Sequence, residues 1–346
     1  MRKIRVLVVD DSALVRRILE DGLNMDPMIE VVGVAGDPYI ARDKIVELAP
    51  DVMTLDVEMP RMDGLEFLRK LMFQYPIPVV MVSALTERGK KITIEALEAG
   101  AVDFVSKPKA DVARSLEGMM HELRTKVKLA STANVSHWKM KKKQPPTVIN
   151  APKALAETTD KIIVIGASAG GTEAIKEVIT RFPPQTPGVV IVQHMPAGFT
   201  RLFAERLNSL SQMTVKEAED GDRILQGNVL IAPGGKHMEV VRSGGVYRVK
   251  VYSGENVCGH CPSVEVLMQS AAAAAGANAV GVMLTGMGSD GAMGMKAMKD
   301  AGAKTIAQNE ETCVVFGMPK MAINAGGVDH IMALDAIAGK VLNLLS

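Results

Sequence analysis

The sequence predicts an α/β protein with two domains, each built on a parallel sheet. Its 346 residues exceed what a single core usually serves. Short, uninterrupted apolar runs alternate with segments of helical period in both halves of the chain. Between the halves, residues 130–160 lose this periodicity and fill with Ser, Thr, Lys and Pro. We therefore expect a first domain at 1–127, a linker at 128–160 and a second domain at 161–346.

Composition and charge exclude several classes of protein. The net charge of +1 creates no global field toward nucleic acid or an anionic membrane. The longest apolar stretch, Ala271 to Leu284, is shorter than the roughly 20 residues that span a bilayer. The first apolar run is too short for a signal peptide and leads into Asp10. Three cysteines form no disulfide framework, which fits a reducing compartment. We expect a cytoplasmic protein with no nucleic-acid partner and no membrane insertion.

The first domain alternates strand and helix along the chain. Its opening run, Arg5 to Val9, is continuously apolar, which is typical of a strand buried on both faces of a sheet. The further strands that we expect are 30–35, 52–55, 78–82 and 101–105. Helical periods separate them, for example at 40–48 and 87–99, and a longer helical stripe follows from Val112 to Val127. This alternation predicts a doubly wound parallel sheet.

Polar side chains stand at the carboxyl ends of these strands, where chemistry gathers in such sheets. They are Asp10, Asp11, Asp56, Ser83 and Lys107. Three converging carboxylates suit Mg²⁺, which prefers oxygen ligands. Asp56 could act as a nucleophile that forms an acyl phosphate, whose charge a lysine would balance. The alternative is that each acidic residue only caps a helix; the agreement of all the strand ends favours the chemical interpretation.

These residues resemble the response-regulator receiver family. The matching motifs are VVDDS at 8–12, LDVEMP at 55–60, DG at 63–64, SA at 83–84 and FVSKP at 104–108. The resemblance covers roughly residues 3 to 127. It implies a flavodoxin-like fold with five parallel strands.

The receiver resemblance also implies roles for particular residues. Asp56 would take a phosphoryl group from a histidine kinase. Asp11, Asp56 and the carbonyl of Glu58 would hold Mg²⁺, with Asp10 assisting. Ser83, Phe104 and Lys107 would form the switch that responds to phosphorylation.

The linker carries a basic run at Lys141 to Lys143, which we interpret as part of a solvated tether rather than a site for anionic partners. Trp138, the only tryptophan in the chain, precedes it and is expected to rest on a domain surface.

The second domain opens with a buried-strand run at 161–165 that leads into Gly166 to Gly171 and then into a helical period. Strand, Gly-x-Ser-x-Gly and helix is the context of a nucleophile elbow, which would present the Ser168 hydroxyl beside the N–H groups of a helix start. A dinucleotide-binding loop would need glycine where Ser168 stands, so it is less favoured. A purely structural glycine-rich turn remains a further alternative.

A serine nucleophile needs a base and an acid that orients it. His194 stands at the end of the next strand-like run, 188–193, and is the best candidate base, although His237 and His260 remain competitors. Asp290 follows a third strand, 279–284, and could orient an imidazole ring. It could equally cap the helix that follows, and both roles are compatible.

These segments resemble the catalytic domain of the CheB family of chemotaxis protein-glutamate methylesterases. The order Ser, His, Asp differs from that of the α/β-hydrolases, so the Gly-x-Ser-x-Gly match does not assign the domain to that fold. The matching motifs are IGASAGGTEA at 165–174, VQHMP at 192–196, FT at 199–200, APGGKHM at 232–238, PSV at 262–264 and LTGMGSDG at 284–291. The resemblance implies a Rossmann-like α/β methylesterase domain.

The same resemblance implies the chemistry of the second domain. Ser168 would attack a glutamate methyl ester on a methyl-accepting chemotaxis receptor, His194 would carry the proton to methanol, and Asp290 would orient His194. The Met287 backbone N–H would help to stabilise the oxyanion, and no cofactor would be needed for ester hydrolysis. Receptor glutamines would be deamidated in the same way. The unphosphorylated receiver would shield the site, and phosphorylation by the chemotaxis histidine kinase would relieve that block.

Two alternatives to a phosphorylation-controlled hydrolase remain open: a receiver with a non-catalytic interaction domain, and a receiver with a nucleotide-binding output. The pair Cys258 and Cys261 could indicate zinc or redox chemistry. Since no second pair accompanies it, we interpret this pair as incidental.

Overall fold

The computed structural model divides the chain into two compact units, Met1–Lys142 and Lys143–Ser346. The residues that it describes are 2–59, 62–84, 86–107, 112–136, 138, 149 and 160–345. The basic run of the expected linker lies outside the described residues, as do Pro60 and Pro108 of the receiver motifs.

The first unit contains a five-stranded parallel sheet in the order β2-β1-β3-β4-β5. The strands are β1 Ile4–Val9, β2 Ile29–Ala35, β3 Val52–Asp56, β4 Val79–Ala84 and β5 Asp103–Lys107. The helices are α1 Ala13–Asn24, α2 Pro38–Leu48, α3 Gly64–Gln74, α4 Glu87–Glu98 and α5 Val112–Ala130. This is the flavodoxin-like order with its switch between β1 and β3, which confirms the predicted fold.

Local sequence explains where the helices of the first unit begin. The Ser12 hydroxyl accepts the Val15 N–H at the start of α1, and the Asp63 carboxylate accepts the Glu66 N–H at the start of α3. Such caps satisfy N–H groups that have no partner within the helix. Since Ser12 and Asp63 follow β1 and β3 closely, each helix starts beside the carboxyl edge of the sheet.

Trp138 packs on the first unit beyond the end of α5. Its side chain is buried. A Cβ added to Gly100 would lie 3.0 Å from atoms of its indole ring. Gly100 has φ +112°, so the chain turns between α4 and β5 in a conformation that favours glycine. The tryptophan therefore lies against the turn that leads into β5.

The second unit contains a seven-stranded parallel sheet in the order β14-β13-β12-β6-β7-β9-β8, with a separate antiparallel hairpin. The sheet strands are β6 Ile162–Ala167, β7 Gly188–Gln193, β8 Thr214–Glu217, β9 Asn228–Ile231, β12 Ala279–Met283, β13 Lys304–Gln308 and β14 His330–Met332. The hairpin is β10 His237–Ser243 with β11 Val246–Tyr252. The helices are α6 Gly171–Ile179, α7 Phe199–Asn208, α8 Val264–Ala275, α9 Ala292–Asp300, α10 Met318–Asn324 and α11 Leu334–Leu345.

The sheet of the second unit is built outward in both directions from its central strand, β6. The chain moves from β6 toward β7 on one side and returns through β12 toward β13 on the other. Ligands of open α/β sheets bind at the carboxyl ends of strands at such a switch point. The point lies between β6 and β12, so it is flanked by the loops that carry Ser168 and Asp290.

Helix α8 covers one face of this sheet and packs against the hairpin. Its buried residues, among them Val264, Leu267 and Met268, share a core with Met238 of β10 and Met283 of β12. The Ser263 hydroxyl caps the helix by accepting the N–H groups of Glu265 and Val266. Packing of α8 therefore fixes its first turn beside the end of β12. Every helix within the described residues is too short or too polar to cross a membrane.

Candidate functional site

Three carboxylates of the first unit converge at the ends of β1 and β3. Oxygen atoms of Asp10, Asp11 and Asp56 lie within 4.8 Å of one another. Asp10 and Asp56 are buried, whereas Asp11 is exposed. Such a cluster of oxygen ligands, open on one side, fits a divalent ion such as Mg²⁺, which retains part of its water shell.

Lys107 joins two of these carboxylates from the end of β5. Its Nζ lies 2.8 Å from Oδ2 of Asp10 and 2.8 Å from Oδ2 of Asp56. Burial raises the pKa of Asp56 to about 6, although Lys107 acts to lower it. Burial alone would lower the pKa of Lys107, but the charge of Asp56 and the hydrogen bonds to both carboxylates leave that pKa raised. The lysine is therefore held as a cation between two acids.

The remaining predicted residues of the first unit lie on or just after strands β3, β4 and β5. Ser83 is buried at the end of β4, and its hydroxyl donates to the Gly89 carbonyl at 3.4 Å. Phe104 is buried on β5, and the Nζ of Lys126 donates to its carbonyl at 2.6 Å. Glu58 is exposed two residues beyond Asp56. Ser83 and Glu58 thus lie at the carboxyl ends of their strands, whereas Phe104 lies near the amino end of β5.

Ser168 follows the central strand β6 of the second unit. Its N–H donates to the Thr285 carbonyl at 3.0 Å, and its carbonyl accepts the Gln193 side-chain amide at 2.9 Å. The loop after β12 and the last residue of β7 therefore hold it from both sides. A Cβ on Gly286 would lie 2.8 Å from the Cβ of Ser168, a distance that side chains do not tolerate. Glycine is required there because the loop after β12 passes so close to the serine.

His194 and Asp290 meet at the same end of the sheet. The Nε2 atom of His194 lies 2.7 Å from Oδ2 of Asp290. Strand β6 lies between β7 and β12, the strands that lead to His194 and Asp290. Ala167 of β6 pairs with Gln193 of β7, and Ser168 and His194 directly follow these two residues. The histidine–aspartate pair thus spans the end of the strand that leads to Ser168.

The start of α8 holds the Asp290 carboxylate. Oδ1 accepts the Ser263 hydroxyl at 2.7 Å and the Glu265 N–H at 2.9 Å, and Oδ2 accepts the Val264 N–H at 2.8 Å. Burial raises the pKa of Asp290, but the hydrogen bonds from His194 and Ser263 and the backbone donor of Glu265 outweigh it and leave the pKa below its ordinary value. A helix N-terminus also favours negative charge. Asp290 is therefore an ionised partner for His194.

The two ring nitrogens of His194 have different environments. Nε2 contacts the ionised Asp290, whereas Nδ1 is buried and makes no hydrogen bond to a described residue. A carboxylate on one nitrogen places the proton there and leaves the other nitrogen as an acceptor. Nδ1 is therefore the atom of this ring that is able to take a proton.

The two competing histidines lie close by but differ from His194. Nε2 of His237 lies 2.8 Å from the Glu255 carbonyl, and Nδ1 accepts the Ser263 N–H at 3.3 Å. Both nitrogens of His237 are thus engaged with the backbone. The ring of His260 stacks on the ring of His194, with centroids 3.7 Å apart and planes inclined by 14°.

The loop after β12 also carries Met287, whose side chain is 43% exposed. A Cβ added to Gly317, which directly precedes α10, would lie 3.1 Å from the Cα of Met287. The carbonyl of Gly286 accepts the N–H groups of Gly317 and Met318 at 3.1 and 2.8 Å. Met287 is therefore held next to the residue that packs on Ser168.

The cysteines of the second unit are not bonded to each other. Cys258, Cys261 and Cys313 are all free thiols. Among the described residues, the one group of three potential ligands with metal-binding spacing is the acidic cluster of the first unit. Burial raises the pKa of Cys313 to about 12.

Sequence reasoning missed two contributions to this site. In the sequence Ser263 is only part of a family motif, yet its hydroxyl and the two backbone N–H groups after it hold Asp290. A serine shortly before an acidic residue and an apolar run signals the start of a helix. The cap was therefore predictable from the sequence, but the contact between its hydroxyl and Asp290 was not. From the sequence, His260 is only a rival base, whereas in the structure its ring stacks on that of His194.

The two sheets and the residues at their carboxyl ends define a class of protein: a receiver joined to a hydrolase-type α/β domain. A family model described as CheB methylesterase matches residues 163–341, and one described as response regulator receiver domain matches residues 6–116. The chain belongs to the CheB methylesterase family.

Individual relatives agree over the whole chain. A protein-glutamate methylesterase/protein-glutamine glutaminase of Syntrophotalea carbinolica is 66% identical and covers 100% of this chain and 98% of its own. The protein of the same name from Salmonella typhimurium is 53% identical with the same coverage. The crystal structure of the Thermotoga maritima CheB methylesterase catalytic domain matches with a TM-score of 0.53 and 39% identity, covering 54% of this chain and 100% of that one.

Proposed function

We propose that this protein hydrolyses glutamate methyl esters on methyl-accepting chemotaxis receptors, deamidates receptor glutamines, and is activated by phosphorylation of Asp56. The contact of 2.7 Å between His194 and Asp290, across the end of the strand that leads to Ser168, carries this proposal. The names of the relatives support the substrate class, and the match to a receiver domain supports control by phosphorylation.

In the proposed reaction the Ser168 hydroxyl attacks the ester carbonyl, and Nδ1 of His194 takes its proton. The ionised Asp290 stabilises the imidazolium that forms. The Met287 backbone N–H donates to the developing oxyanion. The imidazolium returns the proton to the departing methoxide, and methanol leaves. Water then attacks the acyl-enzyme with the same base, which releases free glutamate and restores Ser168; from a glutamine substrate, ammonia leaves instead.

In the first unit, Asp56 is the proposed acceptor of a phosphoryl group from the chemotaxis histidine kinase. Asp10, Asp11, Asp56 and the Glu58 carbonyl would hold Mg²⁺, which neutralises phosphate charge when it is bound. Lys107 pairs with Asp10 and Asp56 and would contact the phosphoryl oxygens. Ser83 and Phe104 are proposed to respond to the new charge, which shifts the population toward the active form.

The test is methanol release from receptors that carry radiolabelled methyl esters. Release should require Ser168, so Ser168→Ala should abolish it, while the matched exposed serine variant Ser209→Ala should leave it unchanged. A small phosphodonor with Mg²⁺ should accelerate release by wild type and not by Asp56→Ala. Release by Ser168→Ala at the wild-type rate would exclude the serine mechanism. A folded protein that releases no methanol from any methylated receptor would favour the non-catalytic interaction domain.

A further inference from the structure

The segment from Val257 to Glu265 contacts both members of the histidine–aspartate pair. His260 stacks on the ring of His194, and Ser263 donates to Asp290. The two contacting residues lie three positions apart in one short stretch of chain.

The backbone of this segment fixes the position of His260. Val257 and His260 exchange both of their N–H···O hydrogen bonds, each at 3.0 Å. The two residues between them have positive φ angles, +52° at Cys258 and +84° at Gly259. Two successive positive φ angles between paired residues are the geometry of a type I′ hairpin turn. The ring of His260 therefore projects from a tight turn rather than from an open loop.

The contact between the two rings is face to face. The centroid separation of 3.7 Å and the inclination of 14° place the rings in parallel planes in contact. A hydrogen bond to an imidazole nitrogen lies in the plane of the ring, so a ring stacked on its face does not form one. His260 therefore has no route for proton exchange with His194 in this arrangement.

His194 needs a second constraint on its ring. Its bond to Asp290 fixes the position of Nε2, but a ring held only at Cβ and Nε2 is still able to turn about the axis between these two points. Nδ1 makes no hydrogen bond to a described residue, so it supplies no second anchor. The flat face of His260 restricts this rotation because turning the ring would break the stacked contact.

We propose that His260 is a positioning residue: it holds the imidazole plane of His194 so that Nε2 stays on Asp290 while Nδ1 faces the Ser168 hydroxyl. This inference rests on the proposed function, since it assigns His260 to the same reaction. His260 contacts the base through the face of its ring, so its proposed contribution is orientation of the base. An error of about 1 Å in such an orientation lowers turnover about 10²-fold.

The test compares His260→Ala with His260→Phe in the full-length phosphodonor-activated protein. Alanine should lower kcat for methanol release about 10²-fold and leave KM within about twofold, because the base is misplaced while substrate contacts remain. Phenylalanine, which restores a flat face, should recover most of kcat and keep the wild-type pH profile. The exposed His121→Ala variant of the first unit is the matched control. Each kcat is expressed per serine labelled to completion by a fluorophosphonate, so that unfolded protein does not contribute.

The outcomes separate this inference from the proposed function. If wild type releases no methanol that depends on Ser168, the proposed function fails. If wild type is active and His260→Ala matches it, the positioning role is excluded. If His260→Phe is as impaired as His260→Ala and its pH profile loses a limb, His260 exchanges a proton and the inference is wrong.

Discussion

Asp56 and Asp290 stand in corresponding places in the two units, at or shortly after the carboxyl end of a parallel strand, and both are almost inaccessible to solvent at 4% and 2% exposure. Their pKa values nevertheless move in opposite directions. Burial raises the pKa of Asp56 to about 6. For Asp290, burial acts in the same direction but is outweighed, and its pKa lies below the ordinary value.

The difference lies in the donors that face each carboxylate. Asp56 accepts one backbone N–H, from Val57 at 2.8 Å, and shares Lys107 with a second acid, Asp10. Asp290 accepts a hydroxyl, two backbone N–H groups and the His194 ring. Hydrogen bonds to the charged form favour it, whereas a neighbouring carboxylate disfavours it. The supply of donors, rather than burial, thus decides which aspartate is stably charged.

The same difference suits the two aspartates to different tasks. A carboxylate with few donors keeps lone pairs for a cation and remains able to act as a nucleophile. A carboxylate whose lone pairs are all engaged is a poor nucleophile, but it holds a histidine in one orientation. Substitutions that change the donors or the charge at either site therefore test the comparison.

The largest effect is expected from Asp290→Asn. The amide cannot stabilise an imidazolium, and it favours the wrong tautomer of His194, so kcat for methanol release should fall about 10⁴-fold. Asp300→Asn, at an exposed position on α9, is the control and should keep wild-type kcat. A variant Asp290→Asn with kcat within about tenfold of wild type would show that this carboxylate only caps α8.

In the first unit the corresponding experiment removes the shared cation. Lys107→Met leaves two buried acids without their partner, and the free energy of unfolding of this unit should fall by about 3 kcal/mol. Urea unfolding followed by Trp138 fluorescence measures it, because the only tryptophan is buried in this unit. The exposed Lys91→Met on α4 should change stability little. Equal stability of the two variants would contradict the role given to the lysine.

Magnesium should stabilise the same unit through the acidic cluster. At a concentration about 100-fold above Kd, Mg²⁺ should add about 2.7 kcal/mol to the free energy of unfolding. Asp11→Ala should remove most of this gain without changing stability in the absence of the ion, because Asp11 is exposed. The exposed Asp43→Ala serves as the control. A full magnesium effect in Asp11→Ala would exclude this carboxylate as a ligand.

Much of the fold and of the site was predictable because both depend on local pattern. Strands buried on both faces are continuous apolar runs, and parallel strands end at one edge, so Asp56, Ser168 and His194 could be selected from position alone. In the second unit, the strands β8, β9, β13 and β14 and the hairpin β10–β11 were not predicted. Their alternating or brief apolar patterns are weak signals.

The contacts that tune the site were not predictable, because they join segments distant in sequence. Ser263 is a cap residue by pattern, but nothing local indicates that its hydroxyl also meets Asp290, 27 positions later. His260 and His194 are two unremarkable histidines until the turn at Cys258 and Gly259 brings one ring onto the other. The pattern thus identified the groups that we propose to react, and tertiary packing determined their charge and orientation.

The smallest expected effect is that of Ser263→Ala, which removes one donor from Asp290 and also the cap of α8. Loss of the cap should lower the free energy of unfolding by about 1 kcal/mol at any pH.

Loss of the donor should lower the free energy of unfolding further, by an amount that depends on pH. The native pKa of Asp290 is lowered, so its ionisation stabilises the fold above the ordinary pKa of about 4, and this contribution disappears as pH falls through the native pKa. The variant has a smaller shift, so the stability difference from wild type should be larger at pH 7 than below about pH 4. Urea unfolding at several pH values measures it, with Ser209→Ala as the control. A difference that is the same at every pH would mean that Ser263 only caps the helix, and that the backbone N–H groups and His194 suffice to keep Asp290 charged.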